Sequence, residues 1–258
     1  MDDVSLLPQP IDPQGLPAHN AVAVYLLELD HSASRDSPQR YLPLLAALEL
    51  ANWQKIRPVQ RQWQYLQSRV LQRLVLGAYA ECDPRALTFL CDKWGRPTLA
   101  EHADLHFSLS HCASHVALAV GSDSVLGVDV ETVVPVRPSF MHIASQFFHP
   151  EDLAQLMEVS EEQRYGRFLE QWTLKEAYLK ALGLGMHKPM ADCRFERTPA
   201  GLIVAHDRAP APGVAAPTAF IAQRRMRGCQ LALAYRYGRP VRFRYLNGDS
   251  ALPWQQTG

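Results

Sequence analysis

"GVDVE", Gly127–Glu131, sets two carboxylates two residues apart in an apolar run, and "WTLKEAYLKALGLG", Trp172–Gly185, follows downstream. In an extended strand, side chains at i and i+2 share a face. Asp129 and Glu131 therefore point together, and Val128 and Val130 point the opposite way. The second stretch reads as a helix. On a 3.6-residue repeat, Phe168, Trp172, Leu179 and Leu182 form one stripe. Lys175 falls inside that stripe, Glu176 lies on its shoulder beside Leu169, and Lys180 follows Glu176 by one turn.

Each feature has a bland explanation. Asp129 and Glu131 fit the wet face of an edge strand. Glu176 and Lys180 fit an i,i+4 helix pair worth only ~0.2–0.5 kcal/mol, and the Lys175 stem can snorkel past its apolar neighbours. Taken together they suggest more, because an unpaired buried ion costs several kcal/mol. Three carboxylates and two lysines satisfy one another around a hard cation and a polyanion. Mg²⁺ prefers oxygen ligands and is often shared with substrate phosphates.

Working outward, "AVAVYLLEL" (21–29) reads as a strand, and two helical patterns broken near Pro58 fill 43–79. "DKWGRPTL" (92–99) reads as a turn-rich loop. "LHFSLSH", "HVALAVG" and "SVLGVDVET" read as strands. Helix, turn and helix start are expected between Phe140 and Leu156, with Pro150 in a first turn. A long helix runs from Glu161 to Leu182 and stops at Gly183 and Gly185. After a loop at 208–218, strands "TAFIAQRRM", "CQLALAYRY" and "VRFRYL" complete the chain. Strands and helices cluster rather than alternate, which argues for an α+β fold.

The 258 residues suffice for one large core or two smaller halves. With 26 basic and 26 acidic residues, no global field draws the chain to nucleic acid or an anionic membrane. "MDDVSLLPQP" lacks the charge pattern of a signal or transit peptide, and no apolar run approaches the ~20 residues of a spanning helix. The five scattered cysteines, without a C-x-x-C pair, fit a reduced, cytoplasmic protein.

"GVDVE" followed by "WTLKEAYLKALGLG" closely resembles the Sfp-type 4′-phosphopantetheinyl transferases. "GRPTL" from Gly95, "FSLSH" from Phe107 and the arginine-bearing "IRPVQRQWQYLQSRVLQR" extend the likeness across 57–185. The resemblance implies a monomer of two similar α+β halves related by a pseudo-twofold axis, with the active site in the cleft between them. Residues 21–122 would form one half and 123–247 the other, with an extended segment at 1–20 and a tail at 248–258. It implies transfer of phosphopantetheine from coenzyme A to a serine of an acyl- or peptidyl-carrier protein, releasing adenosine 3′,5′-bisphosphate. By the same resemblance Asp129, Glu131 and Glu176 are the Mg²⁺ ligands, Lys180 approaches the reacting phosphate, and Lys175 helps hold the pyrophosphate. Ser110 and His111 meet the phosphates of coenzyme A, Arg96 contacts its nucleotide end, and Arg57, Arg61 and Arg69 belong to the basic segment. The base that takes the serine proton is left open among Glu151, Asp152 and Lys180.

Other chemistries fit less well. His102, His106, His111 and His115, with Cys112, invite a zinc site, but they cross a strand and a turn without a closed ligand set. No phosphate-binding G-x-x-x-x-G-K-[ST] loop is present, and no nucleophile elbow surrounds Ser110. The Arg224–Arg227 cluster suits a solvated strand end, or a patch facing an acidic carrier, better than an RNA site. Two alternatives remain: a non-catalytic carrier- or coenzyme-A-binding module on the same scaffold, and a metal-dependent hydrolase of nucleoside diphosphate-linked compounds.

Overall fold

The structure, a computed structural model, describes residues 21–29, 38–199, 203–226, 228–236 and 238–247. The expected segments 1–20 and 248–258, and the side chains of the Arg224–Arg227 cluster, lie outside the described residues.

Strand β1 (Val22–Glu28) alternates between two apolar cores, which is why it lacks a polar face. Ala23, Tyr25 and Leu27 face one core, with Leu66, Val70 and Leu74 of the long helix α2 (Val59–Tyr79). Val22, Val24 and Leu26 face the other, with Val128, Val130, Leu231 and Leu233. β2 (Phe89–Cys91) and β3 (Pro97–Leu99) form a small hairpin. β4 (His106–His111) and β5 (His115–Gly121) join β1 in a four-stranded sheet of order β11-β1-β5-β4, where β11 is Val241–Asn247. β6 (Leu126–Thr132), β9 (Ala219–Met226) and β10 (Cys229–Tyr235) form a second sheet, ordered β6-β10-β9. Helix α5 (Glu161–Leu182) packs Ala177, Tyr178 and Ala181 against Ala232 and Ala234 on the outer face of that sheet. The layers thus run α2, first sheet, second sheet, α5. The fold is α+β, as expected.

Strand β11 closes the expected 123–247 half in sequence, yet it pairs in parallel with β1 of the other half. Short α1 (Ala47–Lys55) precedes α2; α3 (Phe140–Phe147) and α4 (Pro150–Glu158) lead into α5. Pro150 occupies the first turn of α4, where its missing N–H is not needed. Glu161 and Glu162 sit in the first turn of α5, where carboxylates favour the helix dipole. Gly183 ends α5 at φ 72°, a left-handed conformation that glycine adopts without penalty.

Two hairpins depart from the sequence reading. The expected loop 92–99 holds β3 and the turn before it, closed by Asp92 Oδ1 accepting from the amides of Trp94 and Arg96. β7 (Cys193–Arg197) and β8 (Ile203–Asp207) pair where no strand was expected. Among the described residues no helix is long and apolar enough to cross a membrane.

Candidate active site

Gly127 explains how β6 and α5 meet. A Cβ at this position would fall on the carbonyl oxygen of Ala177 and the amide nitrogen of Ala181. The bare glycine and the two alanines, one turn apart, let strand and helix backbones touch. That approach sets Asp129, two residues on, against the next turn of α5. Lys180 Nζ lies 2.7 Å from Asp129 Oδ1 and donates to the Val128 carbonyl at 3.2 Å. Asp129 is 5% exposed.

Strand β4 supports the same carboxylate. Ser110 Oγ donates to Asp129 Oδ1 at 2.7 Å and accepts from the Val130 amide at 3.4 Å. Ser108 Oγ accepts from the Val128 amide at 3.0 Å. The alternating serines of "FSLSH" thus satisfy backbone donors of β6 that a sheet partner would otherwise take. Ser110 is therefore placed as a support of Asp129.

Asp129 Oδ2 is buried and has no hydrogen-bond partner. Burial, then the charge of Asp129, pushes the Glu131 carboxyl up to about 7, against the pull of Arg137 and Lys180, with Glu176 adding to the rise. The Glu176 carboxyl is also raised, first by burial and then by Asp129. Three carboxyl groups, two of them raised in part by the charge of Asp129 and one with an orphaned oxygen, lie near one another. Among the described residues, no three His, Cys, Asp or Glu side chains converge on an ion position. Two cations divide the carboxylates: Lys180 holds Asp129, and Arg137 reaches Glu131 Oε2 at 3.0 Å.

Beside this cluster opens a cavity of about 1090 Å³. Lys55, Arg57, Arg61, His111 and Arg137 line it, and among the described residues no acidic one does. A concave, cationic wall of this size suits a large polyanion. Burial and then the nearby Lys180 charge hold the His111 imidazole below its ordinary pKa, with Arg69 adding to the effect. A bound anion would act in the opposite sense. Arg57, Arg61 and His111, all singled out in the sequence, line this one cavity. Lys55 and Arg137 were not singled out, although Lys55 stands two residues before Arg57 and "PVR" follows β6 closely.

Other expected residues are engaged elsewhere. Lys175 is fully buried. Its ammonium lies 2.7 Å from Asp152 Oδ2, donates to the carbonyls of Met190 (3.0 Å) and Cys193, and sits over the Phe148 ring. Its charge is met by these buried oxygens, and it does not line the cationic cavity. Asp152, 1% exposed, is the other half of that ion pair, and Glu151 is paired with Arg194. The Asp152 pair is buried, whereas Glu151 is 59% exposed and its pair lies at the surface. Arg96 donates to the Ser124 carbonyl and lies against Gly183, and it does not line the cationic cavity. Arg69 stacks over Tyr65 and donates to Gln72 Oε1 at 2.8 Å.

Residues 125–218, which carry both β6 and α5, match the model of the 4′-phosphopantetheinyl transferase superfamily. The 4′-phosphopantetheinyl transferase HetI of Nostoc sp. is 31% identical over 160 residues, 59% of this chain and 67% of that protein. A putative 4′-phosphopantetheinyl transferase of Synechocystis sp. is 30% identical over 148 residues, 57% of this chain and 60% of its own length. The 4′-phosphopantetheinyl transferase Sfp of Bacillus subtilis is 23% identical over 167 residues, covering 65% and 73%. With its glycine-mediated strand–helix contact and acidic cluster, the chain belongs to the 4′-phosphopantetheinyl transferase superfamily. The stretch shared with the Synechocystis protein spans less than two thirds of that relative's length.

Proposed function

We propose that this protein transfers phosphopantetheine from coenzyme A to a serine hydroxyl of an acyl- or peptidyl-carrier protein, releasing adenosine 3′,5′-bisphosphate. The observation that carries the reading is the acidic cluster of Asp129, Glu131 and Glu176 beside a basic cavity. The first suits a cation that shares ligands with a diphosphate, the second the remaining phosphate of the nucleotide. Asp129, Glu131 and Glu176 would hold the magnesium ion. Bound there, Mg²⁺ would neutralise the diphosphate, make its phosphorus more electrophilic and stabilise the departing bisphosphate.

The chain's own residues supply position and charge, which is most of what phosphoryl-type transfer requires. Lys55, Arg57, Arg61 and His111 bind the nucleotide phosphates. Lys180 and Arg137 would turn from their carboxylates to the phosphate oxygens of the bound nucleotide. Lys180 thereby stabilises the charge that grows on the leaving oxygen. The acceptor for the serine proton is drawn from Glu151, Asp152 and Lys180, of which Asp152 is the most deeply buried. The expected pair of similar halves about a pseudo-twofold axis, the monomeric state and the cytoplasmic location belong to this same reading. The balanced net charge supports partners other than nucleic acid or membrane.

The test is to identify both products. Incubation with coenzyme A, Mg²⁺ and an apo carrier protein should yield adenosine 3′,5′-bisphosphate in step with a modified carrier serine, and EDTA should stop both. Release of free phosphopantetheine with an unmodified carrier would indicate a hydrolase. Tight coenzyme A binding without either product would indicate a binding module.

A further inference from the structure

Gln64 stands on α2 one turn beyond Arg61, and both side chains line the basic cavity. Its amide nitrogen makes two contacts. It donates to the Cys112 carbonyl at 2.5 Å and lies 3.2 Å from His111 Nδ1. The first contact fixes the meaning of the second. A carbonyl oxygen accepts and cannot donate, so the NH₂ end of Gln64, not its oxygen, must face Cys112. That same NH₂ end faces the imidazole. Nδ1 must therefore accept, and a neutral imidazole that accepts at Nδ1 carries its proton on Nε2.

The surroundings of the ring agree with a neutral form. Strand alternation sends Ser110 inward to Asp129 and His111 outward to α2 and the cavity. Burial first, then the charges of Lys180 and Arg69, disfavour the imidazolium there. With Nδ1 taken by Gln64, Nε2 is the ring nitrogen left for a ligand, and it offers an N–H.

We propose that Gln64 is a positioning residue, which ties α2 to the β4–β5 turn and holds His111 in its Nε2–H form, ready to donate to a phosphate oxygen of the bound nucleotide. The inference rests on the coenzyme A reading above, in which His111 meets such a phosphate. Without Gln64, a neutral imidazole exchanges its proton between both nitrogens and turns about its own bonds. Gln64 removes that freedom before the ligand arrives, so less is lost on binding.

Two measurements on wild type, Gln64→Met, His111→Ala and the double variant test this. Methionine keeps the length and helix propensity of glutamine and lacks the donor. Nitrogen-15 NMR of the imidazoles at pH 8, where the lowered pKa keeps this ring neutral, reads the tautomer; loss of the signal in His111→Ala assigns it. Wild type should carry a proton on Nε2 and none on Nδ1, and Gln64→Met should move both nitrogens toward averaged shifts. Calorimetric titration of adenosine 3′,5′-bisphosphate reads the consequence. Gln64→Met should weaken binding about two- to tenfold, the worth of ordering one side chain, and should add nothing once His111 is alanine.

The proposal is overturned by a proton on Nδ1 in wild type, or by a His111 spectrum that Gln64→Met leaves unchanged. It is also overturned if Gln64→Met costs as much without His111 as with it, since Gln64 would then touch the ligand itself, or if removing His111 leaves binding as it was. In those cases an active wild type keeps the coenzyme A reading intact. A wild type that neither binds the bisphosphate nor transfers would remove that reading, and the proposed use of His111 with it.

Discussion

Lys180 Nζ and Asp129 Oδ1 lie 2.7 Å apart, which ties the last turns of α5 to the middle of β6 at the point where the acidic cluster begins. Asp129 is the more buried of the two, with 7% of its side chain exposed against 28% for Lys180. Truncating the lysine therefore leaves a buried carboxylate without its cation, an arrangement that costs up to about 3–5 kcal/mol when fully buried. Partial exposure of Lys180 and the Ser110 hydroxyl reduce that cost here.

Lys180→Ala should keep its fold and lose transfer. Removal of one group aimed at developing charge lowers kcat on the order of 10²–10³-fold. Steady-state kinetics on a folded variant is the check. An unchanged kcat would leave Lys180 as a structural tie alone.

Gly127→Ala tests the close approach of β6 and α5. The added methyl would collide with backbone rather than with a side chain that could turn away. Overpacking of this kind costs about 1–3 kcal/mol. Chemical denaturation should register that loss, and transfer should fall further than stability does, because the shift separates Asp129 from Lys180 and Glu176. Native-like transfer in a destabilised variant would show that the exact spacing is unimportant.

The Lys175–Asp152 pair separates a structural role from a phosphate-binding one. Asp152→Ala strands a buried ammonium and should cost about 3–5 kcal/mol. The double substitution Lys175→Met with Asp152→Leu should be less damaging than Asp152→Ala alone and should still support transfer. Loss of transfer in the folded double variant would return Lys175 to the pyrophosphate.

Asp207 makes stability depend on acid. Burial raises its carboxyl, but hydrogen bonds from Lys188, Tyr178 and the Ala209 amide, with the Lys188 charge, bring it below the ordinary value. A carboxyl lowered in the folded state stabilises above its unfolded pKa of about 3.9, and that contribution fades as pH falls through the lowered value. Asp207→Asn should therefore be less stable than wild type at pH 7, and the gap should narrow toward pH 3. Urea titrations at the two pH values measure it; a gap independent of pH would contradict the linkage.

Much of the fold could be read in the sequence where patterns are long. The apolar run "AVAVYLLEL", the stripe of α2 and the glycine stop of α5 all correspond to observed elements. The 89–99 and 193–207 hairpins were missed because their strands are short and carry no clean alternation. Their pairing depends on an Asp92 turn and on tertiary neighbours. Within the site, i,i+2 spacing put Asp129 and Glu131 on one face of the strand, opposite Val128 and Val130. Helical periodicity placed Lys175 on the core stripe but could not say which oxygens would surround it, because Asp152, Met190 and Cys193 arrive from other elements. The reason for Gly127 was equally hidden: its importance lies in Ala177 and Ala181, fifty and more residues away.

The measurement closest to the central claim is the intact mass of an apo carrier protein after incubation with coenzyme A and Mg²⁺, with wild type and Asp129→Asn side by side. The account predicts a gain of one phosphopantetheine with wild type, none with EDTA, and little or none with a folded Asp129→Asn variant. A full gain with Asp129→Asn would contradict it, since transfer would then proceed without the carboxylate on which the whole site is built.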